Sequence, residues 1–262
     1  MKPIKVEGFL TNPKARPLSL TLEPAARLAI LGPSASGKSR LLNELENNAT
    51  NDSAILRCSV ASLKSKSTPL SLARPFGADP AAVALDIVKL WDLRNEPASN
   101  LSTTQRQLMA LLPGLCASEG FVLIDQGLDG LALWNLEPVL NQLLNGDERA
   151  VTVVTSRCEI AERFEKIAVL TPRGLAYFGS PSDLIQQTKP IIVEVEASNS
   201  KAVQHMAQAL NIRTSTEGQT TTFKIDGGQE KAVRLALQGY SYIKSMSIKK
   251  PSLKEALEEL WA

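Results

Sequence analysis

Residues 27–48 read RLAILGPSASGKSRLLNELENN. The first five are a short apolar run, as in a strand buried on both faces, and KSRLLNELENN reads as a helix. Between them Gly32 to Ser39 matches G-x-x-x-x-G-K-[ST], a pattern that belongs between a strand and a helix. Its glycines let backbone N–H groups curl round phosphates, and the helix N-terminus beyond adds a favourable dipole. Lys38 would neutralise β and γ phosphates, and the Ser39 hydroxyl would bind Mg²⁺. Gly32, Pro33, Ser34, Ala35, Ser36, Gly37, Lys38 and Ser39 are therefore the candidate nucleotide-binding residues. The competing reading, an ordinary Gly-Ser turn, does not account for the strand and helix on either side.

Composition narrows the class. The chain has 262 residues, 44% hydrophobic and 21% charged, enough for one large domain or two unequal ones. A net charge of +2 gives no whole-molecule field to draw nucleic acid, so no nucleic-acid partner is expected. No apolar run reaches about 18 residues, the length of a bilayer span. MKPIKVEGFL lacks an apolar signal core. Cys58, Cys116 and Cys158 form no CxxC pair, and the single His205 leaves little for zinc. These features predict a soluble globular chain of a reducing compartment. The cysteines read as small buried hydrophobes, Trp91 and Trp134 as core, His205 as a surface residue, and Lys64 and Lys66 as part of a solvated loop.

Outward from the loop, residues 48–70 form a polar stretch rich in Asn, Ser and Lys. A helix is predicted over 80–93, opened by a first-turn proline, and a second begins near Ser102. Pro113-Gly114 should break or bend that second helix early. FVLID at 121–125 and AVTVVTS at 150–156 read as buried strands, and 167–180 as two short strands around Pro-Arg-Gly. Strands alternating with helices predict an α/β fold with a mostly parallel sheet flanked by helices. After Pro190 the pattern changes to strand 191–196, helix 200–210, strand 211–216, strand 220–226, helix 229–238 and strand 241–248. That β-α-β-β-α-β order is a split βαβ, ferredoxin-like α+β module. A last helix follows in PSLKEALEELW. The expected domains are 1–188 and 189–262.

Residues 100–125, NLSTTQRQLMALLPGLCASEGFVLID, decide between phosphate-loop families. They resemble the signature-to-Walker-B segment of ATP-binding cassette (ABC) ATPases, where LSGGQ-RQ precedes an apolar strand ending in aspartate. Leu101, Ser102, Gln105, Arg106 and Gln107 match, and the interval to Asp125 fits without a gap. The tail Pro251-Ser252-Leu253 is similar to that of the ABC-2-type exporters. The resemblance implies a P-loop NTPase (RecA-like/ABC) sheet, ATP and Mg²⁺ as cofactors, and Asp125 holding Mg²⁺ through water. It also implies a signature, Leu101, Ser102, Thr103, Thr104 and Gln105, that faces ATP held by a second nucleotide-binding subunit, the same or a different chain. ABC-2-type membrane-spanning subunits would be the other partners, which puts this chain in the cytoplasm, peripheral on the inner face of the cytoplasmic membrane. In this family an aromatic upstream of the loop stacks on adenine; Phe9 stands there, although a core phenylalanine is the favoured reading.

The departures from the family carry as much information. Gln126 stands where the family has the glutamate that activates water, and an amide has no basic oxygen for that proton. Loss of a general base typically costs about 10²–10⁴ in rate. Ser156 and Arg157 occupy the position of the switch histidine. No glutamine precedes Gln105, so the Q-loop residue is missing. Gly130 and Leu131 keep the D-loop frame, but its aspartate becomes Ala132. Thr103 and Thr104 replace two signature glycines, narrowing the approach to a γ-phosphate. Ser102 through Gln105 also spells a capping box that needs no ligand. Lys38 to Ser102 is short for the family, implying trimmed β and helical subdomains. The leading expectation is a subunit that binds ATP as a structural or switching ligand. The alternatives are a slow ATPase in which Gln126 orients water, as in Ras-like enzymes, and a non-catalytic assembly scaffold.

Overall fold

A computed structural model of the chain describes residues 2–49, 54–146, 148–188, 190–225, 227–238 and 241–261. The chain divides into two compact units, Met1–Pro181 and Ser182–Ala262.

In the first unit β1 (Ile4–Phe9) and β2 (Leu18–Leu22) pair antiparallel. Their alternate residues Ile4, Val6, Leu18, Leu20 and Leu22 are buried, the period of a sheet with one wet face. A six-stranded sheet follows, made of β3 (Arg27–Leu31), β4 (Ile55–Cys58), β5 (Gly120–Asp125), β6 (Arg149–Val154), β7 (Lys166–Thr171) and β8 (Gly174–Gly179). Its order is β4-β5-β6-β3-β7-β8, parallel from β4 to β7, with β8 antiparallel at the edge. Every residue of β3 and β6 is buried, as a strand covered by helices on both faces requires.

The helices of this unit are α1 (Lys38–Asn47), α2 (Pro69–Ala73), α3 (Ala78–Ile87), α4 (Thr103–Cys116), α5 (Leu133–Leu144) and α6 (Cys158–Ala161). Leu41, Leu42 and Leu45 of α1 join one core with Ile4, Leu20, Phe121, Leu123 and Val154, so this helix ties the small sheet to the large one. α4 covers β4 and β5 from elsewhere: a Cβ on Gly114 would lie 2.7 Å from Val122 and 3.0 Å from the Cys58 sulfur.

Four expectations are corrected. The polar stretch 48–70 contains a strand, β4, whose apolar signal is cut by Arg57. The helix expected over 80–93 ends at Ile87, and Lys89 then takes φ 55°. Pro113-Gly114 does not break α4, which continues to Cys116. The missing proline donor is outweighed by the packing of Leu108, Met109, Leu111, Leu112 and Leu115, and Gly114 allows the close approach to the sheet. Trp91 and Trp134 are not core; they are 46% and 72% exposed. The buried stripe of α5 is Leu136, Val139, Leu140 and Leu143, spaced i, i+3, i+4, i+7, and Trp134 lies off it. Cys58 and Cys116 are buried as expected, while Cys158 is half-buried.

The unit boundary falls in the first turn of α7 (Pro181–Thr188). The second unit holds β9 (Ile191–Ala197), α8 (Ser200–Ala209), β10 (Arg213–Glu217), β11 (Thr220–Ile225), α9 (Glu230–Leu237), β12 (Ile243–Lys249) and α10 (Leu253–Trp261). Its strands pair antiparallel in the order β10-β11-β9-β12. Val193, Val195 and Phe223 of the sheet pack with Val203, Ala207, Val233 and Leu237 of the helices. Asp226, the last residue of the strand expected over 220–226, and Lys189, at the expected domain start, lie outside the described residues.

Candidate nucleotide-binding site

The candidate residues gather at the carboxyl ends of the parallel strands, where open α/β sheets bind ligands. Gly32 follows β3, Asp125 ends β5, and Thr155 and Ser156 follow β6. Since β6 lies between β3 and β5, the phosphate loop and Asp125 are one strand apart.

Backbone geometry makes the loop. Gly37 caps α1 at φ 93°, and a Cβ there would stand 2.7 Å from the Thr11 carbonyl oxygen. No side chain fits that position. Ala35 takes φ 62° and Gln126 takes φ 55°, left-handed conformations that cost a non-glycine roughly 1–2 kcal/mol. Such strain is tolerated where surrounding structure over-determines it, as around binding sites. Thr11, Asn12, Ser34, Lys38, Ser39 and Gln126 line a cavity of about 320 Å³ at the loop. A larger cavity, about 690 Å³, sits beside Arg149 at the amino end of β6, away from this chemistry.

The charged groups interlock. Lys38 Nζ donates to the carbonyls of Gly32 at 2.7 Å and Pro33 at 2.8 Å, folded back over its own loop. Burial lowers the Lys38 pKa from 10.5, and the carboxylates of Asp129 and Asp125 oppose that shift. The Ser39 hydroxyl donates to Asp125 Oδ1 at 3.1 Å, joining residues 86 apart in sequence. Asp125 Oδ2 receives Arg57 Nη2 at 2.9 Å. Asp129 accepts from the Thr155 hydroxyl and, at 2.8 and 2.7 Å, from the Ser156 N–H and hydroxyl. Arg157 Nη1 donates to the Leu131 carbonyl at 2.7 Å. Asp129 and Arg157 thus clamp the loop after β5 to the loop after β6. The buried hydroxyls of Ser36 and Thr11 have no hydrogen-bond partner among the described residues.

The remaining candidates sit apart from this constellation. Ser102 and Gln105 form the capping box of α4: Gln105 Oε1 accepts from the Ser102 N–H at 2.8 Å, and Ser102 Oγ from the Gln105 N–H at 3.3 Å. Leu101 is buried, Thr103 and Thr104 are exposed, and none of Leu101 to Gln105 lines the loop cavity. Phe9 is half-buried, with the Arg40 guanidinium 5.9 Å from its ring centre. Two residues of the site were missed in the sequence, Arg57 and Asp129, and Arg157 was noted only as standing at the switch-histidine position. Asp129 stood in view within DQGLDG, four positions past Asp125.

Ser39 and Asp125 are hard oxygen donors of the type Mg²⁺ takes, but the ion demands near-octahedral oxygen ligation. Asp125 already has one oxygen on Ser39 and the other on a guanidinium. A divalent ion at this carboxylate would have to lie against the Arg57 cation, so the donor set in this arrangement does not fit Mg²⁺.

No family model and no curated protein matches the chain. Among solved structures it is similar to the ATP-binding cassette MJ0796 in a dimeric post-hydrolysis state bound to ADP and Pi, with a TM-score of 0.57 and 20% identity. That match covers 67% of this chain and 97% of the other. A second match is the dimeric structure of MJ0796 described as a bacterial ABC transporter cassette, with a TM-score of 0.54, 22% identity, and 64% of this chain and 90% of that one covered. The chain has the ATP-binding cassette fold. Among the described residues no helix is long and apolar enough to cross a membrane.

Proposed function

We propose that this chain is an ATP-binding, catalytically degenerate nucleotide-binding subunit of an ABC-2-type transporter complex, in which ATP is a structural or switching ligand. The observation that carries this reading is that Lys38, Ser39 and the amide Gln126 line the loop cavity while Ser39 is hydrogen-bonded to Asp125. The loop amides and Lys38 can grip phosphates, while the one carboxylate among these groups, Asp125, has its oxygens engaged by Ser39 and Arg57, and Gln126 is an amide. Binding that favours ground and transition states alike lowers a dissociation constant and leaves the barrier in place.

In this reading residues 1–188 are the ATP-binding domain and 189–262 a ferredoxin-like extension. The partners are membrane-spanning subunits of the ABC-2 type and a second nucleotide-binding subunit, the same or a different chain, facing Leu101 to Gln105. The dimeric state of both structural neighbours supports a paired cassette. The chain would work in the cytoplasm, on the inner face of the cytoplasmic membrane. Mg²⁺ held through water by Ser39 and Asp125 enters this scheme only once Arg57 has left Asp125. The exposed Gln126 lining the loop cavity supports a second reading, a slow ATPase in which this amide orients water.

The test uses concentrated protein and trace labelled ATP. Bound label should remain ATP after hours and disappear with Lys38→Ala. Conversion to ADP by the purified chain would overturn the binding-only reading in favour of the second. Absence of bound label would leave the assembly scaffold.

A further inference from the structure

We propose that Arg57 is the resident cation of the nucleotide site and that the site binds its nucleotide without a divalent metal. The inference rests on the nucleotide reading above and concerns how the phosphate charge is met. Arg57 is the third residue of β4, the strand beside the one that ends in Asp125. Its guanidinium spans three acceptors: Asp125 Oδ2 at 2.9 Å, Asn43 Oδ1 at 3.0 Å and Glu46 Oε2 at 3.0 Å. Asn43 and Glu46 belong to α1, the helix that Lys38 and Ser39 open. The arginine therefore joins the Asp125 carboxylate to the phosphate-loop helix, next to the two groups, Ser39 and Asp125, that would hold Mg²⁺.

Two further features fit a built-in cation. The side chains of Arg57 and Asp125 are 19% and 18% exposed, so the pair is held largely out of water. Arg57 Nε is buried with no partner among the described residues, so the two Nη groups carry this guanidinium's hydrogen bonds to Asp125, Asn43 and Glu46. A guanidinium is permanently charged and presents its donors in a planar fork that matches phosphate oxygens. It adds one permanent positive charge to that of Lys38, set against the Asp125 and Glu46 carboxylates. A metal added to this arrangement meets a carboxylate already neutralised, and a positive charge close by.

The test is equilibrium binding of labelled ATP to the full chain, in excess Mg²⁺ and in excess EDTA. Wild-type affinity should agree within about threefold between the two. Arg57→Met should lose about tenfold or more in EDTA, the worth of one charge-assisted contact, and recover most of it when Mg²⁺ is added. Arg57→Lys keeps the charge without the fork, so it should stay metal-independent with weaker binding. Wild-type binding that requires Mg²⁺ overturns the inference and leaves the nucleotide reading standing. Arg57→Met indistinguishable from wild type in EDTA overturns the role of Arg57. No binding in either buffer overturns both readings.

Discussion

Arg149, the first residue of β6, is 3% exposed and has no carboxylate partner among the described residues. Its Nη1 donates to the carbonyls of Gly114 at 3.0 Å and Ala117 at 2.6 Å, and its Nη2 to those of Gln142 and, at 3.2 Å, Asn145. These acceptors are at the carboxyl ends of α4 and α5, where helices leave carbonyls unbonded and the dipole is negative. One guanidinium thus closes two helices. Burial and the nearby Arg27 charge both lower the Arg149 pKa, so the buried cation itself is held at some cost. Arg149→Met keeps the stem and deletes the charge. Each buried carbonyl left unpaired costs about 1–3 kcal/mol, and four lose their partner. Relief of the cation's desolvation and entry of water offset part of this, leaving about 3–5 kcal/mol, the upper end of what single substitutions cost. In a unit of this size that is a fall in Tm of roughly 6–20 °C. Urea denaturation followed by far-UV circular dichroism reads it as a shift in midpoint at constant slope. A variant within about 0.5 kcal/mol of wild type would show that the helix ends are satisfied by something else, and the reasoning would fail.

Other outcomes follow from the same geometry. Gly37→Ala places a Cβ 2.7 Å from the Thr11 carbonyl at φ 93°, so it should abolish labelled-ATP binding and cost about 2 kcal/mol or more; unchanged affinity in a filter-binding assay would contradict the loop geometry. Ser102→Ala removes the cap of α4 and should cost about 1 kcal/mol in urea denaturation, with Ser102→Asp largely restoring it. The Lys38 pKa lies below 10.5, so its charge is lost as pH rises through that lowered value, before a free lysine would titrate. Nucleotide affinity measured from pH 7 upward should therefore decline short of 10.5, while the fold gains stability between the lowered value and 10.5 because the unfolded chain binds the extra proton there. Burial pushes the Cys58 thiol up to about 12 and the Cys116 thiol to about 11, so a thiol reagent at pH 8 should label neither in the native protein and both after denaturation.

What the sequence makes legible is what is local or carried by a motif. RLAIL, FVLID and AVTVV are apolar apart from Arg27, Asp125 and Thr152, and strands buried on both faces need that bias. The approach of Ser39 to Asp125 was legible over 86 residues because the motif resemblance pairs them. Arg57 was not, since an arginine in a four-residue strand interrupts the apolar signal by which strands are found, and its role exists only once β4 lies beside β5. Trp134 misled for the opposite reason. A large aromatic reads as core, yet the face it occupies is fixed by the phase of Leu136, Val139, Leu140 and Leu143. Asp129 was visible, but its partners Thr155 and Ser156 are brought to it by β6 alone.

That clamp has a consequence for how the site could pass on its state. The loop after β5 and the loop after β6 both leave the carboxyl ends of neighbouring strands, on the side of the sheet where Gly32 follows β3. With Asp129 holding Ser156 through two bonds and Arg157 gripping the Leu131 carbonyl, the two loops are wired in parallel, and neither can shift without the other. A detector built this way has one output channel instead of two: it can signal full or empty, with no intermediate reading between them.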